Sequence, residues 1–94
     1  MRTAIVIPAL NEANTIASVI KPSSMYGSPI VVDDGSNDGT GEVAILAGAE
    51  VVRHRDRAGY DAALQSGFER AWKLGYDIVV TMDADGQHEP SLLP

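Results

Sequence analysis

The 94-residue chain is 45% hydrophobic and 21% charged, the proportions of one small folded domain with a core to bury rather than a disordered segment. Its net charge of −6 argues against a nucleic-acid backbone as partner, and the absence of cysteine removes disulfides and thiolate metal sites, in keeping with a reducing, cytoplasmic setting. No apolar stretch approaches the roughly 20 residues that span a bilayer, so no membrane segment is expected in this chain.

The first predicted strand is TAIVIP, residues 3–8, closed by Pro8. A helix follows over about 12–21, with Asn11 as its cap and Pro22 as its stop. Glu12 reads either as a favourable first-turn charge or as a site residue. The segment PSSMYGSP, 22–29, is a surface connection to the second strand, PIVVD, 29–33. The stretch DDGSNDGT then offers two readings that both stand. In the cluster Asp33-Asp34-Gly35-Ser36, an aspartate and the serine can cap the turn and the next helix, with Gly35 and Gly39 supplying permissive backbone angles. Two adjacent aspartates are also more than a cap needs, which leaves one to accept hydrogen bonds from a base or ribose.

A second helix is expected over about 39–47 and stops at Gly48. The third strand is EVVR, 50–53. The third helix runs over about 60–74, with Tyr60, Ala63, Leu64, Gly67, Phe68 and Ala71 on one stripe and Gly75 after it. The last strand, DIVVTM, 77–82, runs into DADGQHEP. The strands are β-branched and apolar without strict alternation, as strands covered on both faces are. Their regular alternation with helices predicts right-handed crossovers and a doubly wound, mainly parallel α/β sheet. Ligands of such sheets bind beyond the carboxyl ends of the strands, where the polar clusters fall.

In extended backbone, Asp83 and Asp85 point to one side and repel each other unless a cation joins them. Mg²⁺ or Mn²⁺ suits such a pair, because a hard cation takes one or two carboxylates and completes its shell with water and substrate phosphates. Gln87 adds a neutral oxygen. An aspartate-rich chain of this length yields one such pair by chance, so the weight lies in its position after an apolar strand and opposite a second acidic turn. His88 is a softer donor beside this motif and is read as supporting or structural. Neither G-x-G-x-x-G nor G-x-x-x-x-G-K-[ST] occurs, which weakens NAD enzymes and phosphate-loop NTPases.

Taken in order and spacing, IVIPALNEANTI, IVVDDGSNDGT, GYDAALQSGFERA and DIVVTMDADGQHEP resemble the amino-terminal part of glycosyltransferase family 2, the inverting nucleotide-sugar transferases with the A fold. The DADGQHEP motif is similar to that of the polyprenyl-phosphate, dolichyl-phosphate mannose synthase-like branch. The resemblance implies the Rossmann-like, nucleotide-binding half of that fold. It also implies a nucleotide site of Pro8, Ala9, Glu12, Asp34, Asp83 and Ala84, and a metal site of Asp83, Asp85 and Gln87 holding Mn²⁺ or Mg²⁺ on the diphosphate. Asp34 is expected to read the base while contributing little to the fold. The donor implied is a UDP- or GDP-type sugar, and the acceptor a polyprenyl phosphate or a polysaccharide. The reaction implied is a single displacement with inversion.

Two positions depart from the family pattern: Leu10 stands where an aromatic is usual, and Arg57 where Asn is frequent. Arg57 is either a phosphate contact or a solvated loop residue. Such domains are longer than residues 1–94. The chain is therefore expected to be the donor-binding part, truncated before the acceptor-binding half, inactive by itself and prone to self-association. The general base is unidentified and expected beyond Pro94, and the parent enzyme is expected at the cytoplasmic face of a membrane. Two other readings remain: a sugar-1-phosphate nucleotidyltransferase, whose usual glycine-rich basic loop PALNEANT lacks, and a non-catalytic nucleotide-binding module.

Overall fold

The computed structural model describes residues 1–84, in which strand and helix alternate. The elements are β1 (Thr3–Ala9), α1 (Ile16–Ser23), β2 (Ser28–Asp34), α2 (Thr40–Leu46), β3 (Glu50–His54), α3 (Tyr60–Lys73) and β4 (Ile78–Thr81). The strands form one parallel sheet in the order β3-β2-β1-β4. Because β4 lies on the far side of β1 from β2, the winding reverses between β1 and β4, the arrangement that opens a crevice at their carboxyl ends.

Side chains alternate across each strand, so the sheet presents two apolar faces. Ile5, Ile7, Ala9 and Val31 pack against Ile16, Val19 and Ile20 of α1 and Ala44 of α2. On the other face, Ala4 and Ile30 meet Ala71, and Val6 and Val32 meet Ala63, so among the described residues α3 is the helix that covers that side. This explains the near-continuous apolar runs of β1 and β2: both faces are buried.

The stripe expected on α3 proves narrower and smaller. Ala63, Gly67 and Ala71 are its buried residues, whereas Tyr60 is 58% exposed and Phe68 39% exposed. Small residues are required because the helix lies close to the sheet: a Cβ on Gly67 would stand 2.3 Å from Cγ1 of Val6. Two terminators behave as expected, Gly48 and Gly75 adopting positive φ of 98° and 82° after α2 and α3. Two do not. Pro22 lies inside α1, one residue before its end, where it forfeits one amide hydrogen bond but leaves the last turn intact. Asn11 does not cap α1, whose N-cap is Thr15; Asn11 sits at φ 53° and its side chain reaches the β2–α2 turn instead.

β3 and β4 are the edge strands of the described sheet, and neither has a buried residue. Expected to be covered on both faces, β4 leaves Ile78 40% and Val79 38% exposed, and among the described residues it pairs with β1 alone. No helix among the described residues is long and apolar enough to cross a membrane.

Candidate functional site

The carboxyl ends of β1 and β2 and the start of α3 enclose a cavity of about 130 Å³ lined by Pro8, Ala9, Leu10, Asp34, Arg57, Tyr60 and Ala63. Three of the sequence-predicted nucleotide residues, Pro8, Ala9 and Asp34, therefore meet in one pocket. A larger hollow of about 400 Å³ on the outer side of α3, lined by Gln65, Phe68, Glu69, Trp72 and Lys73, contains none of them. Its position away from the strand ends and its highly exposed Trp72 make it the poorer candidate despite its size.

Asp34 floors the pocket. It is only 4% exposed, at the last position of β2, and directly opposite His54 in the parallel register with β3. Its Oδ1 accepts the Ala58 N–H at 2.8 Å and lies 2.7 Å from His54 Nδ1; its Oδ2 accepts the Gly59 N–H at 3.0 Å. Burial alone raises the pKa of this carboxyl, but the His54 contact and the two backbone N–H groups prevail and hold it below the ordinary value of 3.8. Asp34 is thus a structural clamp as well as a pocket wall, which corrects the expectation that it contributes little to the fold. It pins the loop before α3, and with it Arg57, at the pocket edge. Gly35 permits this closeness, since a Cβ there would lie 2.6 Å from the Arg57 nitrogen.

Asp33 points to the opposite face and is the turn-forming member of the pair. Its Oδ1 accepts the Ser36 N–H at 3.0 Å, and its Oδ2 lies 3.8 Å from Arg53 Nε. The turn is tied to the loop after β1 by reciprocal bonds. The Asn11 N–H donates to Ser36 Oγ at 2.9 Å, and Asn11 Oδ1 accepts the Asn37 N–H at 2.8 Å. The two polar clusters after β1 and β2 are one hydrogen-bonded unit.

Glu12 is half-buried and does not line the Asp34 cavity. Its backbone N–H donates to Thr40 Oγ1 at 2.9 Å. Thr15 Oγ1 lies 2.9 Å from Glu12 Oε2 and 3.1 Å from the Ala84 carbonyl oxygen, so its single proton is shared between two acceptors, one on the loop after β1 and one on the segment after β4. Across the β1–β4 reversal, this bridge places the Glu12 carboxylate beside the backbone that bears half-buried Asp83. Asp85, Gln87 and His88 lie outside the described residues. Among the described residues, no group of three or more His, Cys, Asp or Glu is placed to hold a metal. The donors present here are oxygens, the type a hard cation takes.

Sequence reasoning missed His54, Thr15 and Ser66, whose Oγ on α3 lies 2.7 Å from His54 Nε2. The sequence pattern ends the third strand at 53, and only the register of β3 against β2 brings His54 opposite Asp34. A strand one residue longer would have placed His54 on the same face as Val52, but no sequence signal fixes that register.

Comparison with known proteins follows the same outline. Residues 4–94 match the family described as Glycosyl transferase family 2. A polyprenol monophosphomannose synthase from Mycolicibacterium smegmatis is 37% identical over 98% of this chain and 38% of its own length. Among solved structures, mannosyl-3-phosphoglycerate synthase from Rubrobacter xylanophilus superposes with a TM-score of 0.79 at 29% identity, covering 98% of this chain and 33% of that one. Glucosyl-3-phosphoglycerate synthase from Mycobacterium tuberculosis, in complex with Mn²⁺, UDP and glucosyl-3-phosphoglycerate, gives a TM-score of 0.72 at 36% identity over 88% of this chain and 33% of that one. The chain spans 36% to 42% of the length of the first curated relatives it matches.

Proposed function

We propose, from the premise that this chain belongs to glycosyl transferase family 2, that residues 1–94 form the donor-binding part of an inverting transferase that moves a sugar from a nucleoside diphosphate to an acceptor. The observation that carries this reading is the convergence of Pro8, Ala9 and Asp34 on one cavity at the strand ends, with the Thr15 bridge closing the neighbouring crevice. In this reading the base enters the cavity. Pro8 and Ala9 pack its ring, and the Asp34 carboxylate accepts a hydrogen bond from its edge. Glu12 and Thr15 hold the segment of Asp83 and Ala84 in place.

Asp83, with Asp85 and Gln87, is proposed to hold Mn²⁺ or Mg²⁺; the Mn²⁺ and UDP bound together in the mycobacterial relative support the choice. Such a cation neutralises the departing diphosphate when bound. Buried, hydrogen-bonded Asp34 is too committed to serve as the base that deprotonates an acceptor, so that base is proposed to come from chain beyond Pro94. The relatives' names point to two acceptor types, a polyprenol and a phosphoglycerate. The polyprenyl phosphate branch is favoured by DADGQHEP, and with it a setting at the cytoplasmic face of a membrane. Calorimetric titration of the chain with UDP and with GDP in Mn²⁺ tests the reading. Saturable binding of either supports it, and binding of neither refutes it.

A further inference from the structure

Three side chains stand in line behind the pocket. Asp34 and His54 are register partners on β2 and β3, so both leave the sheet on the face covered by α3. His54 Nδ1 lies 2.7 Å from Asp34 Oδ1, and its Nε2 lies 2.7 Å from Ser66 Oγ on α3. An ionised carboxylate only accepts, which assigns a proton to Nδ1; the Ser66 hydroxyl, which can donate or accept, holds Nε2. The imidazole is fixed at both ends.

The order Ser66, His54, Asp34 is that of a hydrolytic triad. Ser66 nevertheless stands mid-way along α3, where neighbouring backbone N–H groups are spent on the helix and cannot form an oxyanion hole. A positioning role fits better. A carboxylate offers about four acceptor sites. For Asp34 three are filled from behind, by His54, Ala58 and Gly59, and the remaining one belongs to the cavity it lines with Pro8, Ala9 and Leu10.

We propose that His54 is a positioning residue for base selection: its Nδ1–H, steadied by Ser66, fixes the Asp34 carboxylate so that a single acceptor faces the pocket. A fixed acceptor set opposite the ring nitrogen favours bases that present an N–H there, as uracil and guanine do, over cytosine, whose ring nitrogen accepts and whose neighbouring amino group would have to shift across to donate. Removing His54 empties one acceptor site on Oδ1 and leaves the carboxylate held by the Ala58 and Gly59 N–H groups alone, so that it can shift about them and offer the pocket a second acceptor site, and the preference falls. The inference rests on the reading that a nucleobase occupies this cavity.

The test is a set of dissociation constants for UDP, GDP and CDP in Mn²⁺, measured on the 94-residue chain and on His54→Leu and His54→Asn, with thermal melts of each. The wild type is expected to prefer UDP or GDP to CDP. His54→Leu should lose that preference by about tenfold, and His54→Asn, whose amide can still donate to Asp34, should keep most of it. Loss of affinity for all three nucleotides with an unchanged ratio is the mark of a merely structural role and overturns the inference. A ratio unchanged in folded His54→Leu does the same while leaving the proposed function standing. Wild type that binds no nucleotide refutes the proposed function itself. Should His54→Leu not fold, long-range proton–nitrogen NMR of the wild-type ring decides: a proton on Nδ1 supports the assignment, and a neutral ring protonated only on Nε2 overturns it.

Discussion

The Asp34 carboxylate at the end of β2 accepts the backbone N–H of Gly59 at 3.0 Å, joining a strand to a loop 25 residues away. Replacing Asp34 by Asn puts an amide NH₂ among donors and leaves one of them without an acceptor. The variant is expected to lose about 1–3 kcal/mol of stability as well as affinity for nucleotide. Urea titration and calorimetry on the same sample check both. A variant as stable as wild type contradicts the clamp.

The pH dependence has a definite sign. Because the folded pKa of Asp34 lies below its ordinary value of 3.8, its ionisation contributes stability that is complete above that value and is lost as pH falls through the lower one. The stability gap between wild type and Asp34→Asn should therefore be constant near neutral pH and narrow below about pH 4. Denaturant titrations across that range measure it. A gap that does not change with acid contradicts the assignment.

Gly67 marks a close helix–sheet approach on the α3 face, since an added Cβ would lie 2.3 Å from Val6 Cγ1. Gly67→Ala is expected to cost about 1–3 kcal/mol through overpacking, despite the better helix propensity of alanine. The double variant with Val6→Ala should recover part of that loss. Thermal melts showing Gly67→Ala at or above wild type contradict the close packing.

Much of this was legible in the sequence because local rules and tertiary structure agree. Apolar runs such as IVIP and IVVD signal doubly covered strands, and Gly48 and Gly75 mark true helix ends. Pro22 and Asn11 misled for a common reason: each is a local signal overruled by a partner elsewhere, Asn11 by the Asn37 N–H and Pro22 by a helix whose last turn tolerates one missing bond. Pro8, Ala9 and Asp34 are the sequence candidates that share one cavity, yet the clamp role of Asp34 is not legible in the sequence. That role depends on Ala58, Gly59 and His54, which only the β2–β3 register and the packing of α3 bring within reach.

β4 carries Ile78 and Val79, both more than a third exposed, and pairs with β1 alone among the described residues. Bare apolar faces beside an unpaired edge favour association. The 94-residue chain is expected to self-associate with rising concentration, as read by sedimentation velocity. A monomer independent of concentration, with a cooperative melt, contradicts this.

The central claim is that the strand ends bind a nucleoside diphosphate through a cation held by Asp83 and its neighbours. Its most direct test is calorimetric titration of UDP and GDP into the chain in Mn²⁺, in EDTA, and into Asp83→Ala in Mn²⁺. Acidic side chains repel a diphosphate in the absence of a bridging cation. Binding is therefore expected in Mn²⁺ and lost, or weakened at least tenfold, in both other arms, about 1.4 kcal/mol or more. Equal affinity in Mn²⁺ and EDTA, or undiminished binding by Asp83→Ala, contradicts the account.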